Sequence, residues 1–200
     1  KDGSIVIRNE AGEEINICRA DELRIPGTHN LENALAAAAI AYFGGIEPEV
    51  IGRAMKAFGG VAHRIELCCE KNGVRFVNDS KGTNTDAAIK AIEAMKENII
   101  LIAGGYDKGS EYDEFIDVFE GRVKALVLLG VTAPKIKAAA EAKGFTNIIM
   151  AKDMEECVSK AWEISVPGDV VLLSPACASW DMYDNFEQRG DHFKECALKL

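Results

Sequence analysis

The sequence predicts an α/β protein built on a mostly parallel sheet with helices on both faces, preceded by a smaller segment of different pattern. Three observations predict it. Short continuous apolar runs, "IILIAGG" (99–105), "KALVLLG" (124–130), "NIIM" (147–150) and "DVVLLS" (169–174), alternate with stretches of helical length. Such runs are strands buried on both faces, which is the signature of a parallel sheet between helix layers. The first 60 residues lack this alternation. And 200 residues at 48% hydrophobic content suffice for one ample domain plus part of another.

The elements follow in order. Residues 4–8 and 14–18 are short alternations around "NEAGEE" and read as a hairpin. "LENALAAAAIAYFGG" is a helix stopped by Gly44-Gly45, and "EPEVIGRAMKAF" is an amphipathic helix with Pro48 in its first turn. "GGVAH" (59–63) is a flexible break and the predicted domain boundary, giving domains 1–62 and 63–200. "RIELCCEKNGVRFVND" is a second hairpin, turned by Asn72-Gly73 in type I′ fashion. Helices near 84–97, 111–121, 133–143 and 153–164 each precede an apolar strand, and a last helix runs from about 184 to the C-terminus. The second part is therefore expected to be Rossmann-like.

Charge and motifs exclude several functions. A net charge of −9 argues against nucleic acid and an anionic membrane surface as partners. No apolar run approaches the ~20 residues of a membrane helix, and "KDGSIVIRNE" shows no signal peptide; the cysteines fit a reducing cytosol, the expected location. That start lacks Met and reads like the middle of a gene product. The six cysteines show no C-x-x-C pair and read as free thiols rather than metal or redox ligands, and no metal site is predicted. Cys68 and Cys69, being adjacent, should face opposite sides of a strand. The chain has no G-x-S-x-G and no G-x-x-x-x-G-K-[ST], which removes a serine hydrolase and a phosphate loop.

What remains sits at strand ends. In open parallel sheets, ligands bind at the carboxyl ends of the strands. "NDSKGTN" (78–84), "AGGYDKGS" (103–110) and "SPACAS" (174–179) are three such exits. Their small residues let a ligand approach the backbone, and Asp79, Lys81, Thr83 and Lys108 select its charge. Thr83 or Asn84 as a plain N-cap explains one residue of the first exit but not Asp79 and Lys81 beside it. Asn30 and Asn33, three apart in "GTHNLEN", share a helical face, or else serve capping and solvent. His63 and Arg64 stand at the break, where a structural His and a surface Arg are the plain alternative. Ser174 and Ser179 offer hydroxyls at the last exit. Asp181, Asp184 and Glu187 fit no calcium loop and read as solvated surface.

"GTHNLENALAAAA", "AHRIE", "NDSKGTN", "GGYDKG" and "SPACASWDMYDNFEQRGDHF" occur in an order and spacing that resembles the Mur ligases, over essentially all 200 residues. The text of the first and last strand exits is most similar to the member that adds D-glutamate to UDP-N-acetylmuramoyl-L-alanine. The resemblance implies ATP-dependent amide formation in peptidoglycan synthesis. ATP phosphorylates the muramoyl-alanine carboxylate, and the D-glutamate amine attacks the acyl phosphate. It implies that Asn30, Asn33, His63 and Asp79 contact the nucleotide, that Arg64 reaches the ATP, and that Lys81 and Thr83 stand at the ATP–glutamate junction. Lys108, Ser179 and Phe186 then hold the D-glutamate carboxylates, with Arg64 and Lys81 in catalytic roles. ATP and Mg2+ would be bound mainly by parts of the family's fold that have no counterpart in this sequence. Residues 1–62 would be the end of a central ATPase domain, and the chain a monomeric C-terminal fragment inactive alone. Gly82 replaces an alanine common in relatives, a change expected to matter little. The alternatives are a Mur-type ligase for another amino acid, or an α/β binding module without catalysis.

Overall fold

The structure is a computed structural model that describes residues 3–95 and 98–200. The chain divides into two compact units, Lys1–Gly60 and Val61–Leu200.

In the first unit, β1 (Ser4–Arg8) and β2 (Glu14–Arg19) form the antiparallel hairpin. An isolated hairpin is marginal in water. This one is backed by α1 (Thr28–Phe43) and α2 (Pro48–Ala57), which enclose Ile5, Ile7, Ile17, Cys18, Ala38 and Ile51. α2 lies close enough to β2 that a Cβ at Gly52 would stand 2.4 Å from the Ile17 carbonyl oxygen. α1 begins at Thr28, a turn earlier than its apolar pattern suggests, and ends at the two glycines.

The second unit holds β3 (Glu66–Lys71), β4 (Val74–Asn78), β5 (Ile99–Ala103), β6 (Val123–Leu128), β7 (Ile148–Met150) and β8 (Val170–Leu173) in one sheet of order β3-β4-β8-β5-β6-β7. Only β3 runs antiparallel to its neighbour. The β3–β4 turn has φ of 50° at Asn72 and 77° at Gly73, as a type I′ turn requires. The continuous apolar strands divide their side chains between two cores. Ile99, Leu101, Val170 and Leu172 meet α3 (Thr85–Met95), α4 (Asp113–Asp117) and α5 (Ala133–Ala142) through Ile92, Phe115 and Ile136. Ile100, Ile102, Val171 and Leu173 meet α6 (Met154–Glu163) and α7 (Phe186–Lys199) through Cys157, Ala161 and Phe193.

Several expectations are corrected. The helix near 111–121 is a five-residue turn, Asp113–Asp117, followed by Phe119 packed against Phe115 and Phe145. The helix near 84–97 starts at Thr85, and Lys96 and Glu97 lie outside the described residues. Cys68 and Cys69 do not face opposite sides. A β-bulge leaves Cys68 unpaired between Leu67 opposite Val77 and Cys69 opposite Phe76, and both thiols pack on the α6–α7 core. Each of the six cysteines is free.

Candidate functional site

β8, the last strand in sequence, lies between β4 and β5. The three small-residue exits therefore leave neighbouring strands at the same edge, and they bond to one another. Ser174 donates from Oγ to Asp79 Oδ2 at 2.7 Å, joining the β8 and β4 exits. The Gly104 amide donates to the Pro175 carbonyl and the Tyr106 amide to the Ala178 carbonyl, both at 2.9 Å, joining β5 to β8. The glycines are demanded by this proximity. At Gly104 and Gly105, with φ of 109° and 146°, a Cβ would stand 2.1 Å from the Leu129 carbonyl oxygen and 2.3 Å from that of Ala178.

Asp79 is the interior end of the β4 exit. Its Oδ1 accepts from the Ile65 amide at 3.2 Å and its Oδ2 from Ser174. Burial pushes its carboxyl up to about 6, against the opposing pull of those two donors and of the Arg64 and Arg189 charges. Only 4% exposed, it braces the loop and is not presented to a nucleotide in this structure. A Cβ at Gly82 would stand 2.5 Å from Asp79 Oδ2 and 2.9 Å from Ser174 Oγ, so alanine there is not the small change expected.

The groups on either side face outward. Lys81 is exposed, its ammonium 5.9 Å from the centroid of the Phe186 ring. Asn84 accepts from the Ala87 amide at 2.8 Å and is the cap of α3, which releases Thr83 from that duty. Lys108 is exposed on the β5 exit, its ammonium 5.8 Å from the Trp180 ring centroid, and Trp180 in turn meets Tyr106. Ser179 is buried, and its carbonyl accepts from the Met182 and Tyr183 amides.

His63 is a structural wedge. It holds φ of 62° and is buried between β4 and α7. Asn78 accepts from the Ser80 amide at Oδ1, so its Nδ2 faces His63 Nδ1 at 3.0 Å as donor. The imidazole proton is thereby assigned to Nε2, 3.8 Å from Asp191 Oδ1. The ring lies edge-on to Phe186, 6.0 Å between centroids. Arg64, next to it, is exposed. The structure thus brings His63, Arg64, Asp79, Lys81, Thr83, Lys108, Ser179 and Phe186 into one region of the second unit. Asn30 and Asn33 belong to α1 of the first unit, three residues apart; Asn30 is buried and donates to the Pro26 carbonyl at 2.7 Å, whereas Asn33 is exposed. Asp181 is not merely solvated, for its Oδ2 accepts from the Val131 amide at 3.0 Å.

Sequence reasoning gave no role to Arg189, which is 2% exposed and bonds to both the β4 and β8 exits. Nor did it find Thr132, whose Oγ1 donates to the Gly105 carbonyl and accepts from the Gly105 amide. The signal for Arg189 was present: an Arg three residues after Phe186 shares that residue's helical face.

The family model described as "Mur ligase, glutamate ligase domain" matches residues 63–177, more than half of the chain. The chain belongs to the Mur ligase family. Curated Mur ligase relatives named UDP-N-acetylmuramoylalanine--D-glutamate ligase are 55% identical over the whole chain in Thermoanaerobacter sp. strain X514, and 53% identical over 92% of it in Clostridioides difficile. The chain spans 44% and 41% of their respective lengths. Among solved Mur ligases, UDP-N-acetylmuramate-alanine ligase MurC from Thermotoga maritima matches 94% of this chain and 40% of its own, with a TM-score of 0.68 and 19% identity. MurF ligase from the same organism, in complex with ADP, matches all of this chain and 45% of its own, with a TM-score of 0.60 and 17% identity. At that identity the likeness is one of fold.

Proposed function

We propose that this chain is the amino-acid-binding part of an ATP-dependent ligase that adds D-glutamate to UDP-N-acetylmuramoyl-L-alanine in peptidoglycan synthesis, working in the cytoplasm as a monomer. The observation that carries it is identity of 55%, across every residue of this chain, to relatives named for that reaction. Residues 63–200 are the amino-acid-binding domain in this reading, and 1–62 the end of a central ATPase domain.

The geometry supports a small dianion as ligand. Lys108 supplies a cation whose ammonium stands over the Trp180 ring. Ser179 offers a hydroxyl on a strand exit fixed to its neighbours, and Phe186 walls the same region. Lys81 and Thr83 flank the start of α3, where unpaired amides favour an anion shared between substrate and phosphate. Arg64 is exposed and free to approach a phosphate, and His63 beside it holds that segment against β4 and α7. Asp79 serves through the loop it braces.

ATP, when bound, supplies the phosphoryl group that activates the substrate carboxylate. This chain's residues then orient the amine and offset developing negative charge. Among the described residues, no three His, Cys, Asp or Glu side chains are grouped to hold an ion. The test is phosphate release by the full-length protein with ATP, magnesium, UDP-N-acetylmuramoyl-L-alanine and either D- or L-glutamate. Release with D-glutamate only is expected, and none from residues 1–200 alone. Release with another amino acid instead would move the chain to a sister ligase. No release with any amino acid would leave a binding module.

A further inference from the structure

Among the described residues, the largest fully buried side chain is a cation, Arg189. Its guanidinium makes three hydrogen bonds, each to a neutral oxygen. Nε donates to Ser80 Oγ at 3.0 Å, Nη2 to the Ser80 carbonyl at 2.8 Å and Nη1 to the Cys177 carbonyl at 3.1 Å. Asp181 and Asp79 act on it only through space. Burial pushes it down to about 10, so it stays charged at neutral pH.

These bonds reach two of the three exits directly, β4 and β8, and the β5 exit only through the chain next to Cys177. Ser80 precedes Lys81 and, through Oγ, donates to the Phe186 carbonyl at 2.7 Å. Cys177 is two residues before Ser179. Ala178, between them, accepts from the Tyr106 amide, two residues before Lys108. Arg189 itself is one helical turn from Phe186. One side chain therefore sets the positions from which Lys81, Lys108, Ser179 and Phe186 project.

Holding two loops together does not require a charge. A buried cation without a carboxylate partner is costly, and neutral groups could donate the same bonds. The cost is offset when an anion arrives beside it. We propose that Arg189 is the positioning residue of the dianion pocket, fixing the three strand exits and contributing a buried positive potential that favours the bound amino-acid carboxylates. This rests on the D-glutamate reading of the site.

The experiment is steady-state kinetics of the full-length protein, varying D-glutamate and ATP separately, with thermal unfolding of each variant. Arg189→Gln, which keeps donors but not charge, is expected to raise KM for D-glutamate about tenfold or more, with kcat and KM for ATP changed by less than about threefold. Arg189→Lys, which keeps the charge, is expected to recover most of that KM. Ser80→Ala leaves the charge in place and removes the Oγ relay to Phe186; it should raise KM for D-glutamate about threefold to tenfold and serves if Arg189→Gln does not fold. A lowered melting temperature with unchanged KM in the Arg189 variants would make Arg189 a staple only and overturn the proposal. Unchanged KM in Ser80→Ala would overturn its positioning part. Normal wild-type turnover with unaffected variants sinks this proposal alone, whereas absent D-glutamate-dependent turnover in the wild type sinks the functional reading as well.

Discussion

Asp79 carries its carboxyl where water does not reach, and the consequence is a pH-dependent stability of definite sign. Its folded value of about 6 lies above the ordinary 3.8. The stabilising contribution is thus full below about pH 4 and is lost as pH rises through 6, because the unfolded chain releases its proton first. A rise of about two units corresponds to roughly 3 kcal/mol. Asp79→Asn keeps an oxygen for the Ile65 amide and sets an NH2 against Ser174, which can accept. Relative to wild type, this variant should gain up to that amount between pH 4 and pH 7 in chemical denaturation; a flat difference across that range would contradict it. Lys108, exposed beside Trp180, predicts the opposite behaviour: little effect on stability, but in Lys108→Ala a KM for D-glutamate raised by about 1.5–3 kcal/mol, the worth of a charged hydrogen bond. An unchanged KM would remove Lys108 from the pocket. Residues such as Lys81 and Lys108 were legible in the sequence because their place depends only on the strand they follow. The spacing from Phe186 pointed to Arg189, but its burial and bonding did not follow from it, because its partners lie 109 and 12 residues away and meet it only once β8 enters between β4 and β5.

The elements were legible wherever a single period held. β5, β6 and β8 are runs buried on both faces and no other reading fits them. The misses arose where local pattern yielded to packing. β3 bulges at Cys68, so two adjacent apolar side chains reach one core. α4 is cut to five residues because the chain must return Phe119 to the ring cluster with Phe115 and Phe145. α7 shows how an element positions the site. Gly190 in its second turn admits the His63 ring; a Cβ there would stand 2.3 Å from His63 Nδ1 and 2.9 Å from Asn78 Nδ2. Gly190→Ala has favourable helix propensity, yet overpacking should outweigh it and cost about 1–3 kcal/mol. A melting temperature equal to or above wild type would show that His63 can step aside.

At the scale of the molecule, the second unit owns two closed cores, one on each face of its sheet, and the first unit owns a small one under a two-stranded hairpin. Residues 61–200 expressed alone should therefore unfold in one cooperative transition, with coincident circular dichroism and fluorescence curves. Separate transitions would mean that the two faces of the sheet are not one folding unit. The position of β8 has a consequence for how the protein is made. The strand that occupies the middle of the sheet is the last to leave the ribosome, so for most of synthesis the nascent chain carries β4 and β5 with a vacancy between them and an unpaired edge on each. The edge that carries the three exits has no partial form on the way: all three are completed in one late event, and a polypeptide ending before residue 170 would be exposed to chaperones and proteases rather than retained with two exits in place.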